Sequence, residues 1–264
     1  MKHLKLLGTT EEERILKAIF DGLSILRSKQ GLIWIDEEIK KRDKRQIEDK
    51  VSRALYRCLT QAQNNLKSMG EGLMGTLHWQ IRIQPDPNVS YEEYEDNIPD
   101  FSWQILDSLT TFEEEEPDRE KSHLPLNFYF HIECKRLGSP TSSSWKLNPN
   151  YVHHGIVRFI SEGHRYGQHT QSGAMIGYLE DMTCKEILQE VNTAIEQVMQ
   201  TPSPETKVSP LLPLQSGWQD KATSRLTHQL ERSFPKSPFT LWHFWLDLRD
   251  CYARTQPKAT ISAQ

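Results

Sequence analysis

Residues 128–138, FYFHIECKRLG, fit a β-strand buried on at least one face, and little else. Read with a period of two, Phe128, Phe130, Ile132 and Cys134 point one way, and Tyr129, His131, Glu133 and Lys135 point the other. The first set makes a core face. The second ends in a carboxylate beside an amine. At the end of an apolar strand, a Glu-x-Lys can hold a divalent cation with its carboxylate and set an ammonium next to the attacking water or the phosphate. Such a pair suits phosphodiester hydrolysis.

The chain around this strand has 264 residues, 36% of them hydrophobic, enough for one large domain with a real core. No run approaches the ~18 apolar residues of a membrane-spanning helix, and residues 1–10 carry Lys2 and Lys5 without a leader-like apolar stretch. A cytoplasmic address is expected. Cys58, Cys134, Cys184 and Cys251 are scattered, with no C-x-x-C pair, so they read as free thiols. The formal charge of −4 argues against a protein that passively coats nucleic acid. It argues less against an enzyme, whose acidic cluster would be offset locally by bound metal.

Along the chain, Ile15, Ala18, Ile19 and Leu23 predict a helix over 12–26, and Ile47, Val51, Ala54, Leu55, Cys58 and Leu59 predict a second, long helix over 36–67. Leu77, Trp79, Ile81 and Ile83 alternate with polar residues as a strand that Pro85 and Pro87 end, and Phe101, Trp103 and Ile105 form another with Asp100 at its mouth. Residues 110–123 are too charged to be core and read as an exposed excursion. A helix is expected over 151–162, a mobile polar loop over 163–173 and a short strand over 174–179. Thr183 and Glu186 have capping-box spacing ahead of an amphipathic helix. Residues 201–213, rich in Pro and Ser, read as a linker, and FTLWHFWLDL at 239–248 reads as a strand buried from both sides. The expected organisation is one domain over 1–264, with its core at about 36–180 and a C-terminal extension over 181–264.

Glu48, Asp100, Glu133 and Lys135 thus sit on an αβββ unit whose acids converge at one edge. With Pro99-Asp100, then Glu133-Cys134-Lys135, and Ile47-Glu48-Asp49 on the helix, the chain resembles the PD-(D/E)XK, or restriction-endonuclease-like, nuclease superfamily. ECKRLG, NYVHHGIVRF, GAMIGYL and SPFTLWHFWLDL are similar to a group of small stand-alone bacterial members associated with defence against foreign DNA. The resemblance implies an α/β fold with a mixed central sheet flanked by helices, and metal-dependent endonuclease activity on DNA. It also implies that Asp100 and Glu133 ligate Mg²⁺ or Mn²⁺ with the backbone carbonyl of Cys134. Lys135 would then stabilise charge or orient water, and Glu48 would hold a second metal or a water.

Asp118, in a second Pro-Asp, is the alternative to Asp100, and Asp49, Glu37 and Glu38 are alternatives to Glu48. Arg136, Lys146, Arg158 and Arg165 are candidates for substrate phosphates. His153 and His154 are adjacent and diverge on a helix, which disfavours zinc. Trp242 and Trp245 lie in an apolar strand and read as core. A lone Glu-x-Lys is an everyday surface pair, so the competing reading is a catalytically silent nucleic-acid-binding or assembly subunit. A third is a nuclease gated by a partner, an ATPase or a DNA-sensing subunit. A two-fold homodimer would most simply deliver two cuts to a duplex.

Overall fold

The computed structural model describes residues 2–41, 46–70, 75–80, 98–106, 127–161, 163–167, 170–200, 215–220, 223–232 and 238–251. Three helices lead: α1 (Lys2–Arg27), α2 (Lys29–Lys40) and α3 (Ile47–Ser68). Then come β1 (Gly75–Trp79), β2 (Phe101–Leu106), β3 (Asn127–Leu137), α4 (Leu147–His153), a 3-10 turn at Ile156–Phe159, β4 (Ser172–Leu179) and α5 (Cys184–Gln200). The last strands are β5 (Gln215–Asp220), β6 (Thr223–Leu230) and β7 (Phe239–Asp247).

The long helix expected over 36–67 is two. Lys41 is extended at the end of α2, and Gln46 is extended at the start of α3. The break is stabilised from α3, because the Lys50 ammonium donates to the Lys41 carbonyl at 2.7 Å and the Ile39 carbonyl at 3.4 Å, satisfying acceptors that end α2. The apolar stripe of α3 behaves as its spacing predicts: Val51, Ala54, Leu55, Cys58, Leu59 and Leu66 are fully buried. Each large side chain on it is worth about 1.5–3 kcal/mol of burial.

The seven strands form one mixed sheet in the order β1-β2-β3-β4-β7-β6-β5. β1, β2 and β3 are an antiparallel meander, β3, β4 and β7 run parallel, and β6 and β5 turn back antiparallel. Parity along β4 divides the core. Ala174, Ile176 and Tyr178 face a layer packed by α1, α2 and α3, whereas Met175 and Leu179 face α4 and α5. Residues beyond 181 supply three of the strands, and β7, read from sequence as a strand buried on both sides, lies inside the sheet between the central β4 and β6.

Other expectations shift at their ends. The helix predicted over 151–162 begins at Leu147, with Pro149 in its first turn, and gives way to the 3-10 turn. The capping box forms: the Thr183 amide donates to Glu186 Oε2 at 2.9 Å, and the Glu186 amide donates to Thr183 Oγ1 at 3.3 Å. Ile81, Ile83, Asp118, the excursion over 110–123 and the linker over 201–213 lie outside the described residues. Among the described residues, no helix is long and apolar enough to cross a membrane.

Candidate active site

Strand β3 keeps the parity read from its sequence. Phe130, Ile132 and Cys134 are buried against the α1–α3 side. The opposite face is buried as well: His131 is 4% exposed and Glu133 only 1%. The layer of α4, the 3-10 turn and the segment after it covers this face, so the carboxylate sits under a roof and not on an open surface.

Register sets the acids together. Phe101 pairs with Ile132, which brings Asp100, one residue before β2, alongside Glu133 and Cys134. The Cys134 amide donates to Asp100 Oδ2 at 2.7 Å, fixing that carboxylate against β3. Glu48, in the first turn of α3, accepts from the Arg136 amide at 3.0 Å through Oε2 and from Lys135 Nζ at 3.3 Å through Oε1. Lys135 Nζ also donates to Glu133 Oε1 at 2.6 Å and to the Cys134 carbonyl at 2.9 Å. Four residues from three elements meet at one strand end. The β4 residue beside Lys135 is Gly177, where a Cβ would come within 2.3 Å of Leu137 Cδ1 and 2.8 Å of Trp245.

Arg158, on the 3-10 turn, places Nη1 2.6 Å from the same Glu133 Oε1 and 3.4 Å from the Tyr166 hydroxyl. The other oxygen, Glu133 Oε2, is buried without a hydrogen-bond partner among the described residues. An unsatisfied buried acceptor costs on the order of 1–3 kcal/mol. Burial, and next the charge of Glu133, hold the Asp100 carboxyl well above the ordinary aspartate range. Burial also raises Glu48, against the pull of Lys135. For Lys135, burial would lower the ammonium, but Glu133, Glu48 and Asp100 outweigh it and hold it above the ordinary lysine range. Lys135 is therefore a cation, suited to stabilising charge and not to taking a proton. Burial likewise pushes the Cys134 thiol well up, so that residue offers its carbonyl and not a thiolate.

Among the described residues, His, Cys, Asp and Glu side chains nowhere gather in a group of three that could hold a metal ion. Mg²⁺ needs no such cage, since one or two carboxylates with water and phosphate oxygens suffice. The hard oxygens of Asp100, Glu133 Oε2 and the Cys134 carbonyl fit that requirement, and the orphaned Oε2 is the atom a cation would satisfy.

The other sequence candidates separate. Arg136 is ion-paired to Glu180, with Nη2 at 2.8 Å from Oε2. Arg165 sits half-buried in a left-handed backbone conformation, φ 51°. Lys146 is exposed at the N-cap of α4. Of the alternative helix acids, Glu38 is engaged elsewhere, with Lys41 at 2.6 Å and Arg57 at 3.0 Å, and Glu37 shares Arg57 at 3.2 Å.

Two residues with a part in this arrangement, Tyr166 and Arg232, carried no signal in the sequence, and His131 was placed on the face of Glu133 and Lys135 without a role. Tyr166 packs edge-on to His131 at 5.3 Å and lies beside Arg158. His131 Nδ1 accepts from the Gly167 amide at 2.7 Å, at a glycine with φ 65°. Arg232, after β6, donates to four carbonyls: Phe159 at 3.2 Å, Tyr166 at 2.9 Å, Gly167 at 2.7 Å and Thr170 at 3.3 Å. Burial pulls that guanidinium down to about 9, which leaves it charged at neutral pH. The described part of the loop expected to be mobile is thus tied at several points, and the segment that presents Arg158 is held from the far end of the sheet. Compared with known proteins, the chain matches no family model, no curated protein and no solved structure.

Proposed function

We propose that the chain is a metal-dependent endonuclease with a restriction-endonuclease-like core, hydrolysing phosphodiester bonds of DNA. One observation carries this reading: Asp100 is fastened beside Glu133 by the Cys134 amide, while Lys135 bridges Glu133 and Glu48. The order α3, β1, β2, β3, α4, β4, with an antiparallel meander followed by a parallel strand, supports it, because one strand end then receives acids from a helix and two strands.

Asp100, Glu133 and the Cys134 carbonyl would hold Mg²⁺ or Mn²⁺. The ion supplies Lewis acidity toward the phosphodiester and toward the attacking water. Lys135 donates hydrogen bonds to the phosphate as its charge builds, and Glu48 orients that ammonium. Arg158 approaches the same phosphate from the side of α4. A role in bacterial defence, with an ATPase or DNA-sensing subunit as gate and a two-fold dimer for paired cuts, goes with this reading.

A silent nucleic-acid-binding or assembly subunit is the second reading, favoured by the double capping of Glu133 Oε1 by Lys135 and Arg158, which neutralises the acid internally. Cleavage of plasmid and single-stranded DNA in Mg²⁺, Mn²⁺ and EDTA, with Lys135→Ala alongside, separates the two. Metal-dependent cutting that vanishes in the variant is expected. Intact DNA in every lane would overturn the proposal for the unaccompanied protein.

A further inference from the structure

Trp145 is 52% exposed, the only aromatic among the large apolar side chains exposed in the described residues. It is nonetheless fixed in place. Its amide donates to the Ser142 carbonyl at 3.2 Å and to Ser142 Oγ at 3.0 Å, and its carbonyl accepts from the Thr141 amide at 3.1 Å. Against the indole, His154 is stacked almost parallel, with ring centroids 6.1 Å apart and planes at 7°. One residue precedes α4 and the other caps its end, so the stack brackets the whole helix. The bracing holds a half-exposed indole at the surface, as a platform for a flat ligand requires.

The surroundings define the ligand's chemistry. Lys146, next in the chain, is exposed. Four residues beyond His154 stands Arg158, whose amide bonds the Gly155 carbonyl at 3.0 Å and whose guanidinium reaches Glu133. The His154 imidazole is lowered by burial and then by the charges of Arg158, His153 and Lys135, so the ring behind Trp145 is neutral and feels the site's cations. A half-exposed indole next in the chain to an exposed ammonium, stacked on the residue that ends α4 just before the turn carrying Arg158, matches a base with its flanking phosphates. Inside a duplex the faces of each base are covered by its neighbours, so away from a duplex end a base must be unpaired to lie on this indole.

We infer that Trp145, backed by His154, is a stacking platform for an unpaired nucleobase beside the Glu133–Lys135 edge, and that the substrate class is single-stranded or locally unpaired nucleic acid. This rests on the nuclease reading for its choice of ligand but not for its test. The test is fluorescence anisotropy in EDTA, where nothing is cut, with a labelled oligothymidylate of about 16 nucleotides, a length set by the usual site size of such proteins. The matching duplex and oligouridylate are run beside it. Wild type should bind the single strand more tightly than the duplex. Trp145→Ala should weaken single-strand binding roughly tenfold, Trp145→Phe should recover most of it, and duplex binding should change by less than about twofold. Equal binding of thymidylate and uridylate would fit stacking alone, and a preference for one would add a contact to the base 5-methyl group or to the sugar on the same platform. The inference is overturned if Trp145→Ala leaves single-strand affinity within about twofold, weakens the duplex equally, or if wild type binds no strand at all. Binding that passes this test in a protein that never cleaves would retain the platform and overturn the nuclease.

Discussion

Two buried glutamates in this molecule have the same immediate surroundings. Glu38 gives Oε1 to Lys41 at 2.6 Å and to Arg57 at 3.0 Å, and its Oε2 has no partner among the described residues. Glu133 gives Oε1 to Lys135 and to Arg158, both at 2.6 Å, and its Oε2 is equally alone. Their side chains are 0% and 1% exposed. What differs is the next layer out. Around Glu38 the cations are surface residues, Lys41 at 43% and Arg57 at 40% exposure, and the ensemble clamps α2 to α3. Around Glu133 the lysine is 15% exposed, a second acid, Glu48, holds it, and a third, Asp100, is pinned to the neighbouring amide. A glutamate gripped by a lysine and an arginine is therefore no mark of a site. On the proposed reading, what distinguishes the Glu133 cluster is its surplus of acids over cations at a strand end.

The sharpest way to break this comparison is to neutralise each glutamate in turn. Glu133→Gln should reduce metal-dependent cleavage by about 10³-fold, the scale of losing an electrostatic group at a reacting phosphate. Glu38→Gln should leave the rate within about threefold, since its place is structural. Rates on one DNA substrate at saturating Mg²⁺ decide it. Comparable losses in both variants would mean that the outer acids do not distinguish the two clusters.

Much of the Glu133 cluster was legible in the sequence because it rests on local rules. Parity along 128–138 separates Cys134 from Glu133, and the alternation after Asp100 identifies β2, whose register then fixes the acid pair. The capping box at Thr183 and the buried strand at 239–247 were legible for the same reason. The Glu38 cluster was not. Glu37, Glu38, Glu48 and Asp49 share one charged stretch, and choosing among them required the break between α2 and α3, which depends on Lys50 reaching back to two carbonyls. Arg232 was beyond reach for a stronger reason: its acceptors lie 62 to 73 residues away in sequence, and no local pattern encodes that separation. β5 and β6 carry too little apolar alternation to stand out, and the pairing of β6 with β7 and of β5 with β6 decides them.

A smaller effect sharpens the comparison through stability. Arg57→Met and Arg158→Met each leave a buried glutamate with one cation, and removing a partner from a fully buried pair costs about 3–5 kcal/mol. Both arginines keep some contact with water, so a loss of about 1–3 kcal/mol is expected in each case. Urea denaturation with and without Mg²⁺ tells them apart. Added Mg²⁺ should restore much of the Arg158→Met loss, because a cation at Asp100 and Glu133 replaces the missing charge, and should do nothing for Arg57→Met. An equal response to the metal would contradict the assignment of Glu133 Oε2 as a ligand atom.

The subtlest difference lies in pH. Asp100 and Glu48 are held above the ordinary carboxyl range, so the folded chain binds protons there that the unfolded chain has released. Their contribution to metal-free stability is full below the unfolded values of about 4 and disappears as pH rises through the folded ones. His243 pulls the opposite way. Buried and hydrogen-bonded through Nδ1 to the Tyr151 hydroxyl at 2.7 Å, it is held well below the ordinary histidine range by burial and then by His228, so it is neutral in the fold. Its contribution is full above about pH 6.5 and is lost as pH falls below that. Denaturation midpoints of metal-free wild type and Asp100→Asn from pH 4 to 8 separate the two. In the variant, the loss of stability on raising pH should shrink while the acid-side loss set by His243 persists. Saturating Mg²⁺ should reverse the first trend in wild type alone, because metal binding needs the carboxylates deprotonated and strengthens as pH rises. If Asp100→Asn moved only the acid limb, the raised carboxyl at the strand end would not be the group coupling protons to the fold.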